Sequence, residues 1–488
     1  MSPKKLKQDE DLKPLKLSLA LTALLANATF AADITLYTDT KTGAIYATPG
    51  ENRVLLGEFT QKETPAKEST ESLAPVVVAK KEPLKMQAVP KPQNSVEIDA
   101  QDGIPEGTLA ELKPHWADKL KIKGYMQFRK AFFLEGEEKN YTQWSDKSLK
   151  QENDGFLIRR ARVIIAGNVG DHLSVYIQPD FASEDKHLGQ LRDFYGDIYI
   201  DKTQEHRIRI GQSKIPFSFE NMQSSSKRFA LDRNDALNSS ARDERDVGAF
   251  YYYTPEHVQA LFKAIDAKRL RGSGNYGMFG LGAYNGQGAN KQEANSNLHA
   301  ISRLTYPFML ESGQFMEFGV QGYMGKYKPF NGQQTVLDTV ATSGIEDGRF
   351  GVSAMIYPQP FGLQAEWNWG VTPGYDEASS TIMKKSLNGG YIQAMHMVDN
   401  LLKAGDTFTT FVKWQYFDGY SKAEQNAPRN EVNDWEIGTE WYPANELRIQ
   451  TVLHLLNRQD LTIQDPTDAR FGERFQGTAF RVQAQVNF

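Results

Sequence analysis

Strict two-residue alternation runs through the C-terminal part of this chain, and it limits the possible folds more than any other feature. The closing segment shows it best: Phe480, Val482, Ala484, Val486 and Phe488 share one face of an extended strand, and Arg481, Gln483, Gln485 and Asn487 the other. Successive side chains of a strand point to opposite sides, so such a segment is apolar on one face and wet on the other. The stretch from Phe156 to Phe181 repeats the pattern around a tight GNVGD turn, with Leu173, Val175, Ile177 and Phe181 against Ser174, Tyr176, Gln178 and Asp180. Leu363, Ala365, Trp367 and Trp369 likewise oppose Gln364, Glu366 and Asn368.

Strand-like segments follow one another near 119–133, 155–167, 172–181, 191–200, 206–213, 246–253, 275–285, 297–306, 314–327, 348–357, 361–370, 388–398, 406–418, 432–442, 446–456 and 474–488. Val258, Leu261, Phe262 and Ile265 instead recur at helical spacing behind Thr254 and Pro255, which predicts a short helix within a turn, with Thr254 as its N-cap. That leaves sixteen strands, an even number, as an antiparallel barrel with both ends on one side requires. Connections 168–171, 201–205, 307–313, 358–360, 399–405 and 443–445 are short, whereas 134–154, 214–245, 328–347, 371–387, 419–431 and 457–473 are mostly long. Short turns at one rim and long loops at the other suit a barrel that crosses a membrane. Aromatics followed by proline (Tyr253-Thr254-Pro255, Tyr306-Pro307, Tyr357-Pro358 and Tyr442-Pro443) predict an aromatic girdle at the short-turn rim. A soluble all-β protein would also alternate; the loop lengths, the girdle and the terminal Phe488 favour the membrane. The fold expected is all-β: a sixteen-stranded antiparallel transmembrane β-barrel with an N-terminal periplasmic extension.

Composition agrees with this and excludes other classes. Beyond the leader there is no run of 18 apolar residues, so no helical span is expected. A mean hydropathy of -0.54 suits a barrel with a polar lumen as well as it suits a soluble chain. The net charge of -5 argues against nucleic acid as a partner, and there is no cysteine. Lys4, Lys5, Lys7, Lys13 and Lys16, the apolar run from Leu17 to Ala26 and the small residues Ala28, Ala31 and Ala32 read as an export signal over 1–31. Residues 32–118 form an extension: strand-like pieces over 33–59, then a linker rich in Pro, Lys and Glu. The barrel is assigned to 119–488.

The segments GFLIRRARVIIAGNVGDHLSVYIQPDFA, LRDFYGDIYI, RIRIGQSKIPFSFENMQSSSKRFALDRNDAL and RDVGAFYYY resemble, in order and spacing, the phosphate-selective porin O and P family of bacterial outer membranes. The resemblance implies a trimeric barrel in outer-membrane lipid. Its water-filled pore is narrowed by the third loop, and a C-terminal aromatic, here Phe488, is read by the outer-membrane assembly machinery. It also implies that the paired constriction arginines fall on Arg159 and Arg160, the aspartate facing them on Asp193, and a basic third-loop position on Arg233. Two departures weaken phosphate specificity: the arginine expected early in the first strand is Tyr125, and 328–349 carries no arginine cluster.

Rings of fixed charge at a constriction select ions, and the planar fork of arginine suits phosphate or carboxylate. Arg159, Arg160 and Arg162 are therefore the candidate anion site. By simple alternation Arg160 and Arg162 share a face and Arg159 takes the other, which is lumenal or an interface. In the third loop DRND and ARDERD read as salt-bridge networks holding the loop, which leaves Lys227 and Arg228 as the bases facing solute. The expected solutes are small anions or polar molecules. The histidines show no metal-ligand spacing and there is no phosphate-cradling loop, so no metal, cofactor or enzymatic activity is expected. The alternatives are a barrel plugged by its own N-terminal segment and, at some distance, an outer-membrane hydrolase.

Overall fold

A computed structural model describes residues 34–39, 45–46, 53–59, 119–136, 156–182, 189–329, 343–459, 461 and 465–488. The expected signal over 1–31 and most of the linker lie outside the described residues, as do parts of several loops. The chain divides into two compact units, Met1–Leu112 and Lys113–Phe488. In the first, β1 (Ile34–Asp39) pairs antiparallel with β2 (Ile45–Tyr46) and β3 (Arg53–Phe59) in a three-stranded sheet.

The second unit is a closed antiparallel barrel. Its strands are β4 (Leu120–Glu135), β5 (Phe156–Asn168), β6 (Leu173–Asp180), β7 (Gln190–Tyr199), β8 (His206–Lys214), β9 (Arg245–Tyr253), β10 (Phe279–Tyr284) and β11 (His299–Met309). They continue as β12 (Phe315–Tyr327), β13 (Ile345–Ile356), β14 (Phe361–Asp376), β15 (Thr381–Asp399), β16 (Thr407–Tyr420), β17 (Arg429–Ala444), β18 (Leu447–Gln459) and β19 (Arg474–Asn487). Each pairs with the next, and β19 closes on β4. All sixteen lie where alternation placed them.

The barrel is apolar outside and polar within. On β19 Val486 is exposed while Arg481, Gln483 and Gln485 are buried, so the polar face is the lumenal one. Outside β14–β17, Trp367, Trp414, Tyr416 and Trp435 form a run of ring contacts against the membrane. The start of β4 and the end of β19 meet at the short-turn rim. There Phe488 accepts from Gly124 N at 2.7 Å and donates to Gly124 O at 3.1 Å, which carries the β19–β4 ladder to the last residue. The tight turn after β7 is tied by Asp201, which accepts from Thr203 Oγ1 (2.7 Å), His206 N (2.7 Å) and Glu205 N (2.9 Å); these bonds hold its carboxyl down at about 2.

Three expectations need correction. Helix α3 (Glu256–Ala267) has Pro255, not Thr254, at its cap; the Thr254 hydroxyl turns instead to Asn275 Oδ1 at 2.9 Å. The connection expected at 371–387 shrinks to 377–380, because β14 and β15 pair outward as far as Asp376↔Thr381. Pro373 does not stop that ladder: the pairing of β14 with β13 has already ended at Val371, so its missing N–H has no partner to lose. Lastly, the girdle is only half a girdle. Tyr306 faces out at 45 % exposure, but Tyr357 and Tyr442 are buried inside the mouth, Tyr357 donating to Glu317 at 2.8 Å.

Candidate pore constriction

The third loop of the long-loop rim, 215–244, folds into the lumen and carries the short helices α1 (Phe219–Met222) and α2 (Asp235–Asn238). Its anchors come from strands all round the barrel. Glu366 on β14 accepts from Phe219 N and Glu220 N, both at 2.7 Å, and from the Ser218 and Tyr391 hydroxyls at 3.1 and 2.8 Å. Lys413 on β16 pairs with Glu220 at 2.6 Å, and Arg349 on β13 donates to Ala236 O at 2.6 Å. A carboxylate placed at the N–H groups that open a helix satisfies donors that would otherwise be orphaned, so Glu366 fixes α1 within the lumen.

Against this loop stands the arginine strand β5. Alternation breaks within it: Phe156 and Ile158 are exposed, yet Arg160 and Arg162, of the same parity, are buried. The cause is a bulge. Gln127 pairs with Arg160 and the next residue, Phe128, with Ile158, which leaves Arg159 as the extra residue. A bulge sets two consecutive residues against one partner, so Arg159 and Arg160 both serve the lumen. Arg159 lies in electrostatic reach of Arg160 and of Asp232 in the loop. This removes the choice between lumen and interface that strict alternation had posed.

Arg162 donates to Asp180 (2.7 Å), the Tyr125 hydroxyl (2.9 Å) and Ser225 Oγ (3.0 Å). Arg160 donates to Gln127 Oε1 at 2.8 Å, and its Nε has no partner. Arg228, 2 % exposed and in electrostatic reach of Arg160, donates to Leu231 O at 3.3 Å while its Nε and Nη1 have none. Next to them Asp232 is shared by Arg129 at 3.5 Å and Arg481 at 2.5 Å. Among the described residues, Asp180 thus pairs with Arg162 and Asp232 with Arg129 and Arg481, while Arg160 and Arg228 have no ion-pair partner.

The remaining candidates sit elsewhere. Asp193 does not face the Arg159–Arg160 pair; it is held by Arg245 at 2.8 Å. Arg233 pairs with Glu244 at 2.5 Å, and Glu244 also takes Arg245 at 2.9 Å, a network beside the cluster. Lys227 turns away from the cluster and pairs with Asp266 of α3. The acids of DRND bind the barrel wall rather than their own loop, Asp232 as above and Asp235 to Arg458 at 3.2 Å. Arg129 and Ser225 were not among the candidates, and Tyr125 only as the position of an expected arginine; on β4 the signal is the alternation of buried Tyr125, Gln127 and Arg129 with exposed Met126 and Phe128.

Comparison with known families matches residues 139–488 to "Phosphate-selective porin O and P". No curated protein matches. Among solved structures, the outer membrane channel DcaP of Acinetobacter baumannii is 13% identical over 76% of this chain and 97% of its own, with a TM-score of 0.45. Salmonella typhi OmpF is 12% identical over 77% and 99% (0.46), and the anion-selective porin from Comamonas acidovorans 10% identical over 76% and 99% (0.45). With the family match spanning the third loop, the arginine strand and the barrel to its last residue, the chain belongs to the phosphate-selective porin O and P family and is a porin of the bacterial outer membrane.

Proposed function

We propose that this porin is a diffusion channel that favours small anions, and that solutes pass the guanidinium cluster of Arg159, Arg160, Arg162 and Arg228. The observation that carries the reading is two uncompensated guanidiniums: among the described residues neither Arg160 nor Arg228 has an ion-pair partner, and both keep buried N–H groups unsatisfied. An unpaired buried charge is costly, and an anion in transit repays that cost each time it binds. Low-dielectric walls concentrate the field of such a cluster on the passing ion. Phosphate and carboxylate both fit a guanidinium fork, so the reading is anion preference rather than one named solute. Asp193, Arg233 and Lys227 then act indirectly, by holding Arg245, Glu244 and Asp266. Phe488, at the end of the closing ladder, serves as the assembly signal.

The channel operates as a homotrimer in this proposal. Strands β6 to β9 have 8, 10, 9 and 9 residues, whereas β14 and β15 have 16 and 19. The low wall, with Phe194, Ile198 and Ile210 exposed, is the side suited to a neighbouring barrel.

The test is the reversal potential of the purified protein in planar bilayers under a salt gradient. Wild type should prefer anions. Replacing Arg160 and Arg228 together by serine should bring the anion-to-cation permeability ratio toward unity, with the preference weakening in high salt as charges are screened. An unchanged ratio in the folded double variant overturns the proposal.

A further inference from the structure

One connection at the short-turn rim is not short. Residues 254–278 link β9 to β10 although Tyr253 and Phe279 are direct partners across the ladder, where a two-residue turn would suffice. The connection holds α3 and an extended strap behind it. The apolar stripe of α3 does not face outward: Val258 is 0 % and Ile265 1 % exposed. Ile265 and Leu270 pack into one core with Phe219, Phe229 and Leu231 of the third loop and with Phe315, Met355, Met395, Phe411 and Val452 from the inner faces of β12, β13, β15, β16 and β18.

The strap then crosses to the far wall. Arg271 pairs with Glu440 on β17 at 2.7 Å, its guanidinium 4.5 Å from the Tyr442 ring, and Arg269 bonds Asn445 in the turn between β17 and β18. It is also bonded to the third loop, through Gln223 to Arg271 O and through Lys227 to Asp266. This explains why Tyr357 and Tyr442 are lumenal: they are part of the wall on which the connection rests. Burial shows what it covers. Thr305, Phe315, Met355, Met395, Phe411 and Val452 are each 4 % exposed or less, whereas the inward-facing Ser174 and Tyr176 of β6 and Tyr195 and Tyr199 of β7 are partly exposed.

We propose that residues 254–278 are a built-in plug of the periplasmic mouth, which seals the lumen on the β11–β18 side and leaves solutes one exit, along β6 and β7. The proposal rests on the channel reading above and adds an element that sets the size limit from the side opposite the loops. The apolar floor under the plug offers an ion nothing, so the plug excludes water from a surface that would otherwise lie bare at the mouth. Tyr176 and Tyr195, stacked at 5.1 Å, line the exit that remains.

Two measurements test it. In the first, 254–278 is replaced by Asn-Gly. Single-channel conductance should rise about twofold or more, as expected when a constriction widens, and neutral polyethylene glycols excluded from wild type should enter. A folded variant with unchanged conductance and unchanged size limit overturns the plug. The second uses the intact protein, whose sequence has no cysteine. Val452→Cys should resist a charged, membrane-impermeant thiol reagent added from the periplasmic side, while Tyr176→Cys should react and lower the current. Reaction at Val452→Cys with block, or an inert Tyr176→Cys, overturns the proposal even if the shortened protein fails to fold. Ion preference is read separately. A wild type that is silent and conducts only after the replacement overturns both the channel reading and the exit along β6 and β7; an open pore with no anion preference sinks the guanidinium reading alone.

Discussion

Gly124 shows how little freedom single positions have where the barrel closes. A Cβ there would lie 2.4 Å from Arg162 O and 2.5 Å from the Phe488 ring, so neither backbone nor terminal aromatic can stay in place. Gly124→Val should cost about 1–3 kcal/mol, the range for overpacking a filled site, seen as an earlier urea midpoint for the protein in vesicles. An unshifted midpoint would mean that Phe488 swings away freely. The sequence declared some of these residues and hid others, for physical reasons. Arg160 and Arg162 stand out because charge on a strand needs water or a partner. Asp193 was paired with the wrong arginines because family order gives a neighbourhood and not a partner; Arg245 reaches it first. Arg228 was noticed for lacking an acidic neighbour in sequence, and among the described residues it has no ion-pair partner in space either.

Secondary structure was legible because each barrel strand has lipid on one side and polar groups on the other, which writes the two-residue period into nearly every segment. Strand ends were less so: Pro373 reads as a stop, yet it lies where β14 has already lost its neighbour β13. The third loop could be located but not docked, since Glu366, Lys413 and Arg349 carry no mark of what they hold. Glu366→Ala tests that docking. It leaves the Phe219 and Glu220 N–H groups without an acceptor, at about 1–3 kcal/mol each. The start of the third loop should loosen, visible as noisier single-channel currents and a lower unfolding midpoint; quiet currents at full stability would show that the loop's other anchors suffice.

For the molecule as a whole, solvent is reversed relative to a soluble domain, and the best-buried large side chains include Arg129, Arg228, Arg245, Arg303, Arg349, Arg448 and Arg481. Charge tolerance is therefore reversed too. Val412, 40 % exposed on the outer face of β16, should reject arginine by about 2–4 kcal/mol if it sits near the bilayer midplane, whereas an exchange at a partly exposed lumenal position such as Ser174→Arg alters selectivity first. Unfolding midpoints in vesicles separate the two. The plug could not have been foreseen, because its contacts join one turn to six other strands and only its helical period was visible. The bulge on β5 carries one more consequence. Remove Arg159 and the strand regains unbroken alternation, with Phe156 and Ile158 outward and Arg160 and Arg162 inward. The double arginine Arg159–Arg160 is thus a one-residue insertion, a way of adding charge to the lumen without spending a lipid-facing position. Deleting Arg159 should accordingly be milder for assembly than replacing Ile158 by a charge, and should lower anion preference by less than the Arg160–Arg228 double replacement; a deletion that blocks insertion into the membrane would show the bulge to be structural.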